Sequence, residues 1–488
     1  MEKIWRVLDA DPVPDLAAYE SAGGGAGLRV AVDGGSDAVL AVVEAAGLRG
    51  RGGAGFPTAT KWRSVLEYRT PDLAPTVVVN AAEGEPGSYK DRAIIRANPY
   101  RVLEGALIAA LTIGADEVVV ATKARFSTEV ARLRSAAAEL AAAGWASGVT
   151  VDVVEGPDEY LYGEETALLE VVEGRLPFPR IAPPWRRGLD GSDDEPAAQA
   201  PDETDTTEAI SPPVLVNNVE TLAHVALIVA NGPDWFRQLG TDDSPGTIVC
   251  TITGHLRECG VLEVAMGTPL RTVIEEVGGG PLVGDITAAM SGVSNPLLPA
   301  SLLDTPLTYE AMTEAGCGLG TGGFIVFDSG VDPVAVAHGV SRFLAVESCG
   351  QCTPCKQDGR AVSDALDRLR SGTADGEELV VVEDHLRTIE DGARCYLATQ
   401  HQRVVASVLA LFPEAFVGHA ERRIDPVEPY PIAELEGFVD GEEGREAVYD
   451  ERHREKQPDW SYDAEDSGQS PADRLDQEQG EVDVEIER

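Results

Sequence analysis

The sequence predicts three folded units in series: an α/β domain on a mainly parallel sheet, a smaller β-grasp-like α+β domain, and a four-helix unit. Three observations carry this. β-Branched runs alternate with helical stretches as far as Val154, the pattern of a parallel sheet with crossover helices. Residues 246–330 change to short strands around a turn with one short helix. Residues 333–411 have helical periodicity and enclose four cysteines. The units are read as 1–245, 246–332 and 333–425, with 426–488 as a tail, and 488 residues suit about three domains.

In chain order, residues 1–45 read as a short α/β entry with an apolar helix near Ala38–Ala46. Glycines follow at 47, 50, 52, 53 and 55, ahead of Phe56-Pro57. They open backbone conformations closed to other residues and let a ligand reach the peptide N–H groups. Arg49, Arg51 and Lys61 add positive charge, so the loop describes a phosphate cradle leading into a helix N-terminus. A flexible glycine loop is the plainer alternative.

Thr76–Val79 is a buried strand by its β-branched run. It delivers Asn80, Glu83 and Glu85 at its carboxyl end, where α/β sheets place ligand sites. A solvated acidic loop is the competing reading. A helix at 99–113, a strand at Glu117–Ala121, a helix at 127–143 and a strand at Thr150–Val154 continue the alternation. Gly163 permits a turn into a helix whose first turn holds Glu164 and Glu165; acids there suit the helix dipole and need no ligand. Between Asp190 and Glu208 stand eight acids and no base, which marks a disordered insertion over about 189–210. A strand from Val214 then passes into a helix with Asn217 and Asn218 at the turn.

Thr247–Thr253 and Val261–Val264 are short strands, and Thr268–Val277 is a helix ended by Gly278-Gly279-Gly280. Cys349, Cys352 and Cys355 then stand at two-residue intervals, with Cys395 alone downstream. Three thiolates from one turn and a fourth from elsewhere fit a [4Fe–4S] cluster. Structural zinc, the alternative, usually takes its cysteines in two separated pairs. Helices at 333–347, 357–370, 377–392 and 396–411 enclose this site. Cys250, Cys259 and Cys317 read as buried thiols, and no disulfide framework is evident. From Pro431 on, 20 acids face 6 bases with few apolar residues, so the tail is expected to be largely disordered.

Acids outnumber bases by 83 to 39, a net charge of −44, which argues against nucleic acid as a partner. The excess runs along the whole chain, as in proteins of a salt-loaded, halophilic cytoplasm. No secretory leader is read at Met1–Asp15, and no stretch approaches the ~20 apolar residues that span a membrane. A cytoplasmic protein is expected, reaching a membrane only through partner subunits.

Six motifs in order resemble the NADH-binding flavoprotein subunit of respiratory complex I and the related diaphorase subunits of NAD-linked hydrogenases and formate dehydrogenases. They are GRGGAGFPT (50–58), EGEPGSYKDR (83–92), YGEETALLE (162–170), NNVETLA (217–223), LGTGG (319–323) and ESCGQCTPC (347–355). The resemblance implies FMN, NAD(H) and one [4Fe–4S] cluster, with electrons passing from NADH to a separate electron-accepting iron–sulfur or dehydrogenase subunit. It implies that Gly50, Gly52, Gly53, Gly55 and Lys61 cradle the flavin phosphate and the dinucleotide. Phe56 and Trp185 flank the adenine, and Asn80 and Glu83 face the flavin. Glu85 and Glu165 contact NADH, while Tyr160, Glu164, Asn217 and Asn218 surround the FMN. The cluster ligands implied are Cys349, Cys352, Cys355 and Cys395. Ala82 and Ala182 stand where the family usually has an aspartate and a lysine. These departures motivate the alternative of a non-catalytic iron–sulfur electron-transfer or assembly module that has lost NADH binding.

The charge generates a first prediction. At 0.01 M salt the screening length is ~30 Å, so carboxylates repel across much of the surface. Thermal melts should show the midpoint rising from dilute buffer to molar potassium chloride; an unchanged midpoint contradicts this.

Overall fold

A computed structural model of the chain describes residues 3–69, 74–181, 184, 212–441 and 444–474. The entry is helical rather than α/β: Leu16–Ser21, Ala26–Gly34 and Ser36–Ala46 are helices, and no strand lies in the described part of 1–45. A buried carboxylate explains how this segment docks. Glu104, on the helix Pro99–Ile113, accepts from Tyr19 Oη at 2.6 Å, Gly25 N at 2.8 Å and Leu28 N at 2.9 Å. It thereby satisfies helix-end donors that would otherwise be buried unpaired.

The first sheet is parallel throughout, in the order β3-β2-β1-β4. Its strands are β1 (Thr76–Ala81), β2 (Glu117–Lys123), β3 (Thr150–Gly156) and β4 (Val214–Asn218). Val77, Val78 and Val79 are fully buried, as expected for a strand covered on both faces. The chain moves outward from β1 to β3 and then returns to the other side of β1 as β4. That reversal opens a crevice at the carboxyl ends of β1 and β4. Parallel register sets Asn80 beside Asn218 and Val79 beside Asn217 there.

The second sheet is mixed, in the order β6-β5-β9-β7-β8. It comprises β5 (Thr247–Gly254), β6 (Gly260–Ala265), β7 (Ile286–Ser291), β8 (Leu298–Pro299) and β9 (Gly323–Asp328). The helix Leu270–Gly278 packs against β5 and β6 and ends at Gly279, whose φ of 62° favours glycine. Helices Pro333–Glu347, Thr353–Arg370, Glu378–Thr388 and Leu397–Leu411 form the expected four-helix unit, and a fifth, Pro413–Ala420, packs onto it. Among the described residues no single helix is long and apolar enough to cross a membrane.

The reading of 426–488 as a largely disordered tail is overturned over 426–474. There β10 (Leu435–Asp440) and β11 (Arg445–Tyr449) pair as an antiparallel hairpin, and a strap continues to Arg474. Composition counted charges without their partners. Ile432, Ala433 and Leu435 are buried, and Glu434 pairs with Lys123 and Arg125 of the first domain. Cys259 N also donates to Arg445 O at 2.6 Å, tying the hairpin to the second domain. Residues 475–488, the 189–210 insertion, Ala182 and Trp185 lie outside the described residues.

The helical unit generates a pH prediction. His401 is fully buried, with Nε2 2.7 Å from Ser341 Oγ, and burial pushes its pKa down to about 3. The folded pKa lies below the unfolded ~6.5, so the stability contributed by neutral His401 is complete above ~6.5 and is lost progressively as pH falls toward the folded value. His224 and His338, both pushed down to about 4 chiefly by burial, act in the same direction. Urea melts should lose about 2 kcal/mol on this account between pH 7 and pH 5 for His401 alone. His401→Gln should flatten that slope; an unaltered slope refutes the assignment.

Candidate functional site

The glycine loop is folded tightly on itself. Gly50 N donates to Phe56 O at 2.8 Å and Thr58 N to Leu48 O at 3.0 Å. Gly55 has φ 64°, and a Cβ there would stand 2.4 Å from the Tyr309 ring. Only glycine fits that position. At Gly53 nothing comes within 3.8 Å of a Cβ position, so space is left open toward the ligand side. Two of the cations expected to face phosphates are used elsewhere. Arg51 is buried and donates to the carbonyls of Arg49, Pro245 and Thr247, while Arg49 pairs with Glu310. Lys61 alone of the three lines the crevice.

That crevice is a groove of about 620 Å³ at the carboxyl ends of β1 and β4. Gly50, Gly52, Gly53, Gly55, Phe56, Lys61, Asn80, Glu83, Glu85, Tyr160, Glu164, Glu165, Asn217 and Asn218 all line it. The side chains differ in what they have left to offer. Glu83 is buried against Arg92 Nε at 2.9 Å and accepts from Ser88 Oγ at 2.8 Å, so its carboxylate is used internally. Glu164 stands at the N-cap of the helix Glu165–Val172 rather than in its first turn, accepting from Thr166 N and Ala167 N, and only Glu165 lies in that turn. Asn217 Oδ1 accepts from Trp62 Nε1 at 2.7 Å. Asn80 Nδ2 donates to Gly163 O at 2.9 Å. Lys61 and Glu165 pair with each other at 2.6 Å while both remain partly exposed, and Phe56 is half exposed at the mouth.

Glu85 is partly buried, and desolvation raises its pKa against the hydrogen bonds that lower it. Its Oε2 accepts from Tyr160 Oη at 2.6 Å; its Oε1 accepts from Val293 N at 2.7 Å and Ser294 Oγ at 2.6 Å. Sequence reasoning passed over Lys90 and Asp91, although both lie within the quoted EGEPGSYKDR stretch. Lys90 Nζ donates to Asp91 Oδ1 at 2.7 Å and to Asn218 Oδ1 at 3.0 Å, and stands 3.2 Å from Glu220. Burial alone would lower the Lys90 pKa, but Asp91 and Glu220 raise it instead. Asp91 is pushed up to about 6, first by burial. Ser294, Thr321 and Gln400 also line the groove, from the second and third units. Of these only Thr321, in LGTGG, had a motif to mark it.

The groove suits a polar, phosphate-bearing ligand. The hydroxyls of Thr58 and Thr321 line it, are buried, and have no hydrogen-bond partner among the described residues. Such groups are costly unless a ligand or water completes them. The helix Thr58–Glu67 begins at its wall without a side-chain cap, leaving a positive end toward the space.

Cys349, Cys352, Cys355 and Cys395 ring a small second cavity with Ser348, Leu161 and Leu397. None of the four is in a disulfide. A ring of four thiols around a space suits a polynuclear cluster better than one zinc ion. Arg394 N lies 3.4 Å from Cys352 Sγ and Ser348 Oγ 3.3 Å from Cys355 Sγ, positions that favour sulfur carrying negative charge. In the protein alone, burial pushes the Cys349 thiol up to about 11. Cys395, Leu161 and Leu397 line both this cavity and the groove, so the two sites share a wall. Cys250 and Cys259 are buried as expected, while Cys317 is partly buried with Sγ on Pro296 O at 2.9 Å.

Comparison with known proteins agrees with this pairing of sites. Residues 43–227 match the Nuo51 FMN-binding domain, and residues 335–419 match the NADH-ubiquinone oxidoreductase-F iron–sulfur binding region. The NADH-quinone oxidoreductase F 2 subunit of Rhizobium meliloti is 35% identical over 428 residues, covering 85% of this chain and 97% of that protein. The corresponding F subunit of Rickettsia typhi is 34% identical, covering 81% of this chain and 92% of its own. Among solved structures, an NAD+-reducing [NiFe]-hydrogenase in the H2-reduced state superposes with a TM-score of 0.69 at 33% identity. That match covers 81% of this chain, which spans only 63% of the hydrogenase chain. The chain belongs to the family of NADH-quinone oxidoreductase F subunits.

Proposed function

We propose that this chain oxidises NADH at the groove and passes electrons through the four-cysteine site to a separate electron-accepting subunit. The observation that carries the reading is the shared wall: Cys395 borders both the groove and the cysteine cavity, so the two cofactor sites adjoin. FMN, when bound, supplies the conversion of a two-electron hydride donor into single-electron steps. The protein's part is to bind, orient and exclude water.

Gly52, Gly53 and Gly55 bring backbone N–H groups to the phosphates, Gly50 closes the loop that holds them, and Lys61 supplies the charge. Asn80, Glu83, Tyr160, Glu164, Asn217 and Asn218 shape the flavin side of the groove. Phe56 at the mouth stacks on the adenine, with Trp185 as the second flank. Glu85 and Glu165 engage hydroxyls or the carboxamide of NADH, and their charge disfavours a 2′-phosphate. Lys61 and Glu165 neutralise each other in the free protein and separate toward phosphate and nicotinamide dinucleotide respectively. Cys349, Cys352, Cys355 and Cys395 hold the cluster. The mixed sheet with one helix across it supports the β-grasp-like reading of 246–332. A cytoplasmic location, with membrane association through partner subunits, completes the proposal.

Two experiments test it. Purified protein should contain about one FMN and reduce ferricyanide with NADH, with NADPH the poorer donor. Glu165→Gln keeps the helix turn but should lower kcat/KM for NADH about tenfold or more, since a hydrogen bond to a charged group contributes ~1.5–3 kcal/mol. Its melting should change little, because the partly exposed pair with Lys61 is worth under ~1 kcal/mol. Unchanged kinetics with full flavin content would remove Glu165 from the NADH site, and absence of both flavin and activity would support the non-catalytic module. Separately, anaerobically purified protein should be brown and contain iron, and Cys352→Ser should lose the colour. Zinc without iron in metal analysis sinks the cluster assignment.

A further inference from the structure

The strap that follows β11 lies beyond both family matches, the later of which ends at residue 419. It runs directly onto the cysteine loop. Glu347 stands two residues before Cys349; Lys456 Nζ donates to its Oε1 at 2.8 Å, and His453 Nε2 lies 3.0 Å from the same oxygen. Trp460 Nε1 donates to Val346 O at 3.0 Å, and its ring lies 5.8 Å from that of Phe178. Beyond it, Ala472 N donates to the carbonyl of Cys349 itself at 3.0 Å. Gly350, with φ 86°, has no room for a side chain: a Cβ would stand 2.3 Å from Ser470.

The strap's own fold is fixed independently of the cysteines. Asp459 accepts from Ser461 N and Oγ and from Ser467 Oγ, and Arg474 donates to its carbonyl at 3.2 Å. Arg360 on the helix Thr353–Arg370 pairs with Asp466. The four cysteines are unequal: Cys349, which the strap reaches, and Cys355 are buried, while Cys352 and Cys395 are partly exposed.

We propose that residues 450–474 form a fixed cover over the Cys349–Gly350 face of the cluster site. The inference rests on the cluster reading of the four cysteines. It follows from contact chemistry: backbone groups of Val346 to Gly350 that would otherwise face solvent are hydrogen-bonded or packed by the strap.

The test compares holoprotein of the full chain with three variants: a stop after Arg474, a stop after Asp459, and Ala472→Pro. Proline fits the first turn of the short helix Pro471–Arg474 but removes the N–H that reaches Cys349. Iron content of the full chain is measured first. Iron release to bathophenanthroline disulfonate and hydrogen exchange over residues 345–352 are then followed. The stop after Asp459 should release iron about tenfold faster or more, since losing a buried hydrogen bond with its packing shifts a local opening equilibrium by that order. Ala472→Pro should give a smaller rise in the same direction, and the stop after Arg474 none. Faster exchange at Gly350 and Gln351 should accompany both effects. Equal release and exchange in all four proteins overturn the cover. If the longer truncation does not fold, Ala472→Pro decides alone. A full chain without iron overturns the cluster reading instead, and the exchange comparison still decides whether the strap covers the loop.

Discussion

One partly buried carboxylate ties the working part of this molecule together. Glu85 sits on the loop after β1 and receives Tyr160 from the first domain and Val293 N and Ser294 from the second. Gln400 of the helical unit donates to Tyr160 Oη at 3.2 Å and to Ser294 Oγ at 3.1 Å, closing the ring. A carboxylate held by three donors from two parts of the chain is fixed in place, and so are its donors, while Oε2 keeps an acceptor direction for a ligand. The groove therefore has walls from three parts of the chain, tied together at the site by these hydrogen bonds and packed beneath by a shared apolar cluster.

Charge works differently inside this protein than on its surface. Outside, the excess of 83 acids over 39 bases gives repulsion that cations must screen. Beneath the groove, buried bases are matched. Lys90 lies among Asp91, Glu220 and Asn218, and Arg92 lies on Glu83. Leaving a buried ion unpaired costs several kcal/mol, so these pairs specify the loop geometry there. The strand register places the Asn218 backbone, and that nest orients its side chain.

Glu347 extends the same logic to the second site. Its Oε2 accepts from Tyr160 N at 2.9 Å, and its Oε1 receives Lys456 and His453. Burial would raise its pKa, but Lys456 and His453 hold it well below the usual carboxylate range. One side chain thus joins the groove wall, the start of the cysteine run and the C-terminal segment. The described part of the tail belongs to the fold because its charges complete pairs that begin elsewhere in the chain.

The sequence by itself determined what is local or periodic. The β-branched run at Thr76–Val79, the alternation through Val154, the helix ended by Gly279 and the spacing of Cys349, Cys352 and Cys355 all survive in the structure. These signals lie within a few turns of chain, where period and conformational preference act directly. The groove residues singled out from the motifs do come together, yet the sequence could not say which had side chains free. Arg49, Arg51 and Glu83 looked available and are committed to Glu310, to main-chain carbonyls and to Arg92. Ser294 and Gln400 carried no mark at all, because their place depends on the packing of whole domains. The tail shows the same limit most plainly. Its composition argued for disorder, and over the described residues to Arg474 only the tertiary structure decided otherwise, since an ion pair such as Glu434 with Lys123 spans 311 positions and leaves no local trace.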